Sequence, residues 1–253
     1  MRSEGARLET AVRLRRFGAR LFFVLLLALP APAPAEPPSD AAILDAFAKI
    51  AFGNEFVAET DPRLQKWMQP IRWRAYEALP LESGERAFLE RHMARLQRLT
   101  GLTFIAADRW PEANFVILFV SEARYEYWIE RYIAPSRLHL LSRLATTSCL
   151  GFLRHHRTTY EIEHAVAIIP LDRARGRGLV ESCIAEETTQ VLGLLNDAEV
   201  PGTLFNDKGD ARDLTPLDEL LVRLLYDPRL KAGMRRPEGL SVAREVVPKL
   251  RTR

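Results

Sequence analysis

The sequence predicts an α+β domain. Three observations carry that prediction: an apolar run at Phe115–Val120 that reads as a buried central strand, several alternating strand candidates before residue 170, and a helix–loop–capped-helix block after it. The order is strand, helix, strands, then helix, loop, helix, so a sheet precedes the helices that must cover it.

In chain order, Asp40 can cap a helix that carries Ile43, Leu44, Phe47, Ile50 and Ala51 at helical spacing, and Gly53 ends it. Most of 54–66 reads as loop. Trp67, Ile71, Trp73 and Ala75 alternate like a half-buried strand within Leu64–Tyr76. Ser83 and Glu85 then introduce a helix with Phe88, Leu89, Met93, Leu96 and Leu99 on its apolar face, closed by Gly101. Strands are expected at Leu102–Ala106 and Phe115–Val120, and Ser121 opens a helix through Tyr125, Trp128, Ile129 and Tyr132. Residues 135–148 fit no single element. Further strands are expected at Leu150–Arg154 and Ala165–Ile169, then an Arg-rich loop at 173–177 and a helix over Leu179–Leu195. Thr215, Pro216 and Asp218 give the next helix its cap, first-turn proline and N3 carboxylate. A last helix, Ser241–Leu250, reads as peripheral.

Residues 1–35 stand apart. Arg13, Arg15, Arg16 and Arg20 precede the apolar run Leu21–Leu29, and Ala33-Pro34-Ala35 supplies a small-residue cleavage site, the pattern of a secretory signal peptide. The run is shorter than the ~18–20 residues that span a bilayer, though an uncleaved anchor is the alternative reading. The expected organisation is therefore a signal at 1–35, an N-terminal helical segment at 36–60, and the main domain with a C-terminal helical tail at 61–253. The expected location is periplasmic or secreted, with no stable membrane span once the signal is removed.

The whole chain of 253 residues carries +3, but residues 1–35 hold six Arg and two Glu; the remainder has 30 basic against 31 acidic residues, net −1. That balance leaves no basic footprint for nucleic acid. Cys149 and Cys183 are the two cysteines, and an even pair in an exported chain reads as one disulfide. Without matching His or Cys partners they do not make a zinc site, and no CxxC, GxSxG, SxxK or P-loop motif is present. His92, His155, His156 and His164 read as structural or solvated residues, and the four Trp as core or rim packing.

The segment with most to say about function runs from Cys183 to Tyr226. It reads CIAEETTQVLGLLND, a Pro-Gly loop, TLFND, and LTPLDELLVRLLYD. Glu186, Glu187, Gln190, Gly193 and Asn196 fall at the spacing of HExxHxxGxxH, the helix of zinc proteases. Glu187 stands where those enzymes keep a general base, and the Gly is kept, but Glu186, Gln190 and Asn196 replace the three imidazoles. Carboxylate and amide oxygens suit harder cations than zinc, and one or two charges bind those weakly, so no metal and no cofactor are expected. Neighbouring helix side chains diverge by about 100°, which also disfavours a glycosidase-type carboxylate pair.

After the helix, Pro201-Gly202 turns, Phe205 stands where metzincin-like proteases place their turn methionine, and a capped helix ends in Leu225-Tyr226. EETTQVLGLLND, TLFND and LTPLDELLVRLLYDPRLKAGM together resemble a bacterial family of exported proteins known as domain of unknown function 2927, most closely over Cys149–Met234. The resemblance implies a zincin-like fold and an exported location, and it leaves mechanism open. Two functions then compete. One is a non-catalytic binding or accessory protein of the cell envelope, with Glu186, Glu187, Gln190, Asn196 and Phe205 around an old cleft and an envelope protein or peptide as partner. The other is an atypical hydrolase with Glu187 as general base. A third, blander reading makes the helix purely structural.

Overall fold

The computed structural model describes residues 38–53, 61–206 and 208–251; the expected signal peptide lies outside them. Five strands form one mixed sheet in the order β2-β1-β3-β5-β4. β1 (Ile71–Glu77), β2 (Phe104–Ala106), β3 (Phe115–Val120) and β5 (Ile162–Pro170) run parallel, while β4 (Leu150–His155) is an antiparallel edge strand on β5. All six residues of β3 are buried, as its unbroken apolar run requires of a strand covered on both faces.

Eight α-helices complete the fold among the described residues. α1 (Asp40–Ile50) begins at Ser39, whose hydroxyl accepts from the Ala42 N–H; the cap is one residue earlier than expected, and Asp40 occupies the first turn instead. α2 (Ser83–Thr100) opens with a reciprocal Glu82–Glu85 capping box and closes at Gly101 in the left-handed region. α3 (Glu122–Tyr132) follows Ser121, and the ambiguous stretch after it becomes a 3₁₀ turn at Pro135–Leu140 and the single turn α4 (Leu141–Leu144). α5 (Leu171–Arg177) replaces the expected Arg-rich loop: Leu171 and Ala174 are buried, and Arg173 turns inward to donate to Ala145 O and Thr147 O. α6 (Val180–Gln190), α7 (Pro216–Leu225) and α8 (Arg236–Leu250) follow. α8 is longer than expected and not peripheral, since Ala243, Val246 and Val247 are buried and the helix packs against α1 and α7.

The strand pleat sorts these elements into two cores. Phe115, Ile117 and Phe119 of β3, with Ala167 and Ile169 of β5, face the larger core beneath α1, α2, α6, α7 and α8. Val116, Leu118 and Val120, with Val166 and Ile168, face a smaller core closed by Tyr125, Ile129 and Ile133 on and just after α3. β1 starts at Ile71 rather than Leu64. Leu64–Trp67 are buried but form only isolated bridges, because their backbone and side chains are used to terminate α6 and α7.

Candidate functional site

α6 carries the motif, and its start is fixed covalently. Cys149, next to β4, and Cys183 form a disulfide with a Cα–Cα distance of 5.8 Å across 34 residues. On the chain-entropy model such a cross-link stabilises by roughly 3–4 kcal/mol. Thr188 and Thr189 return their hydroxyls to the carbonyls of Ile184 and Ala185, both at 2.6 Å, so neither faces a cleft.

The helix ends at Gln190, five residues short of the expected Leu195. Gly193 has φ +115°, and a Cβ there would lie 1.9 Å from the Gln65 carbonyl oxygen. Only glycine permits both the dihedral and this backbone approach. The carbonyls left without helical partners are taken by the large core: Trp67 Nε1 donates to Val191 O (2.9 Å) and the Tyr226 hydroxyl to Leu192 O (2.9 Å), while that hydroxyl accepts from the Trp67 N–H. Lys66 does the same for α7, donating to Leu225 O and Leu230 O at 2.9 and 2.8 Å. Burial lowers its pKa to about 8, opposed by the nearby Asp227 charge.

The motif side chains divide into two groups. Glu186 is half-buried and lines a recess of about 190 Å³ beside the disulfide, with Ser182, Leu204, Asn206, Asp210 and Arg212 around it. Glu187 is 5 % exposed and lies against β4 at Gly151, where an added Cβ would sit 2.9 Å from its Oε2 and 3.1 Å from Val191 Cγ1. Gly151 therefore makes room for a buried carboxylate. One oxygen from each Glu and the Cys149 sulfur lie within 4.8 Å of one another, so the reach of the side chains offsets the angular divergence expected of helix neighbours. That sulfur is held in the disulfide, which removes the one soft donor from the group.

Gln190 is buried and donates to Asp197 Oδ1 at 2.6 Å. Asn196 lies beyond the helix and donates from Nδ2 to Lys49 O at 3.1 Å, satisfying a carbonyl at the end of α1. Phe205 is fully buried in the large core, and its carbonyl accepts from the Ala198 N–H. The structure thus brings Glu186 and Glu187 together beside the disulfide, and engages Gln190 and Asn196 in hydrogen bonds to other segments.

Several residues around the motif have roles that the sequence did not reveal. Arg212 donates to Gly178 O (3.0 Å) and closes the recess opposite α6. Asp218, fully buried, caps α7 by accepting from the N–H groups of Thr215 (2.8 Å) and Leu204 (3.0 Å) with one oxygen, while its Oδ1 has no hydrogen-bond partner. Burial raises its pKa to about 6 despite those bonds. His92 on α2 sits 3.4 Å from the Thr189 hydroxyl, and burial pushes its pKa down. The Thr215–Asp218 capping box was legible; its second use, anchoring Leu204 beside Phe205, was not.

Among curated proteins none matches this chain. A family model described as "Protein of unknown function (DUF2927)" matches residues 40–246, a span that takes in all five strands and helices α1–α7. The chain therefore belongs to the DUF2927 family of proteins of unknown function.

Proposed function

We propose that this is an exported, zincin-like domain without ordinary zinc catalysis, acting as a binding or accessory protein in the cell envelope. The observation that carries the reading is the use of the former ligand positions. Gln190 is bonded to Asp197 and Asn196 to Lys49 O, and Glu186 lines the recess. Two carboxylates beside a sulfur locked in a disulfide make a poor donor set for zinc. Support for the zincin-like arrangement comes from the order of parts: a mixed sheet, the motif helix, the turn at Phe205, and a capped helix ending at Leu225-Tyr226. The disulfide suits an oxidising compartment, and among the described residues no helix is long and apolar enough to cross a membrane.

In this reading Glu186 is the recognition group, facing a basic or hydrogen-bond-donating segment of an envelope protein or peptide, and Glu187 beneath it holds the recess floor against β4. Elemental analysis and calorimetry of chain purified without chelator test it. The expected outcome is no stoichiometric metal and no thermal shift with Zn²⁺, Ca²⁺ or Mn²⁺. About one tightly bound metal per chain, lost in Glu186→Ala, would overturn it.

The approach of the two carboxylates to within 4.8 Å favours a second reading, a hydrolase using Glu187 as general base. Its test is a peptide-hydrolysis screen in which Glu187→Gln abolishes turnover. Absence of turnover in the wild-type chain removes it.

A further inference from the structure

The other face of the sheet holds a second site, remote from the α6 motif. Past the last turn of α3, at the edge of the small core, a groove of about 350 Å³ opens over the starts of β3 and β5 and the end of β4. Val116, Val166 and Phe152 make an apolar floor. Trp110 and Tyr132 form the walls. Trp110 is 39 % exposed, yet its ring is held edge-on against Tyr76 at 5.6 Å, and Tyr76 packs on Trp128, which in turn stacks with Tyr132. Trp128 and Tyr132 rest on the small core, while Trp110 is held at the surface by Tyr76, and exposed aromatic rings beside an apolar groove are typical of contact sites.

The rim carries one sign of charge. Arg131, Arg154 and His164 line the groove, and no Asp or Glu does. Arg131 has no ion pair among the described residues, and Arg154, its side chain largely exposed, is only loosely engaged, 3.6 Å from Glu163. The chain beyond residue 35 is close to neutral at −1, so this concentration of positive charge is local rather than a general property of the surface. An apolar floor with aromatic walls selects an apolar body, and two guanidinium groups at its edge select an anionic head.

We infer that this groove binds a small amphipathic carboxylate, an aryl or short acyl chain seated on Val116, Phe152 and Val166 with its carboxylate between Arg131 and Arg154. Along this row of rings the planes turn by 89° between Trp110 and Tyr76 and by 58° between Tyr76 and Trp128, with Trp128 and Tyr132 near parallel at 20°, which breaks up the flat run of ring faces on which a neutral sugar chain would stack.

The test is calorimetric titration of the full purified chain with 2-naphthoate and with its uncharged isostere 2-naphthamide. The expected result is one saturable site for 2-naphthoate with a dissociation constant of about 0.1–1 mM, modest because the groove is open. The amide should bind about tenfold more weakly, and Arg131→Gln/Arg154→Gln should weaken 2-naphthoate by a similar factor, since the charge-assisted contacts are then lost. Both arginines are exposed, and an unchanged thermal midpoint would show that the variant is folded. A shift of the Trp110 indole resonance on titration locates the site independently of the variant. Glu186→Ala should bind 2-naphthoate as the wild type does, which separates this groove from the α6 recess. No saturable heat, equal affinity for acid and amide, or full binding by the double variant would overturn the proposal. So would binding of chitotetraose, or sedimentation with phosphatidylglycerol vesicles, by a chain that ignores 2-naphthoate.

Discussion

The two faces of the sheet handle polar groups in opposite ways. On the α6 face, Glu187, Gln190, Lys66, His92 and Asp218 are all buried, and named partners hold the Lys66 ammonium, the Gln190 amide nitrogen and one oxygen of Asp218. On the α3 face, Trp110, Arg131 and Arg154 are exposed at the edge of an open groove. The face with the recognisable motif is the closed one. A rare sequence pattern therefore marks a place where the fold is tightly determined, and accessibility has to be found from the structure.

That contrast can be broken by substitution, beginning where the closed face is tightest. Gly193→Ala forces a Cβ to within 1.9 Å of the Gln65 carbonyl oxygen at a dihedral alanine avoids. Urea denaturation should show a loss of about 4 kcal/mol or more, or no folded protein at all. A loss below about 1 kcal/mol would mean that the loop after α6 is adaptable and the closed face less determined than described.

Asp218 gives the next effect, read through pH. Its folded pKa of about 6 lies above the usual aspartate value, so the folded state holds a proton that the unfolded state has released between those two values. The stability from this group is fully present below the unfolded pKa and is lost as pH rises through about 6. The amount is on the order of 2–3 kcal/mol. Asp218→Asn should flatten the stability profile across that window by this much, and an unchanged profile would show that Asp218 is better hydrated than its burial implies.

Gly151→Ala comes third. The new methyl would press on Glu187 Oε2 at 2.9 Å and Val191 Cγ1 at 3.1 Å, both buried, so a loss of about 1–3 kcal/mol is expected. Combining it with Glu187→Ala should recover part of that loss; strict additivity in the double-mutant cycle would show that the two residues do not meet. Trp110→Ala, on the open face, should fall within about 1 kcal/mol of wild type, whereas a fully buried Trp such as Trp67 costs about 3–5 kcal/mol on the same change. A large effect at Trp110 would make the aromatic wall a structural element rather than a binding surface.

Sequence patterning exposed the parts of this molecule whose causes are local. The apolar run of β3, the Gly101 stop of α2 and the Thr215-Pro216-Asp218 start of α7 each contain their own reason, and all three stand as read. The errors have distant causes. Apolar spacing continues through Leu192 and Leu194, but α6 stops because Gly193 meets Gln65 from far upstream. The strand expected over Leu64–Tyr76 starts only at Ile71, because Lys66 and Trp67 close the ends of other helices. Arg173, Arg175 and Arg177 disguised α5, whose buried side is only Leu171 and Ala174. At the site, the spacing of Glu186 and Glu187 was visible, but which of them faces outward depends on Gly151 and the residues around the recess.

The pairing of α1 with α8 sets a folding order. Ile43, Phe47 and Ile50 are buried in the core that α8 helps to close, and Asp40 at the start of α1 is tied to Arg251 just past the end of α8 at 2.8 Å. The first helix of the domain to be synthesised thus finds its partner in the last. Contacts of such long sequence separation form late and slowly, because loop closure must come first. Until α8 has emerged, α1 has only part of its native cover, from α7, and a chain without α8 would keep the rest of that surface open to aggregation or to chaperones.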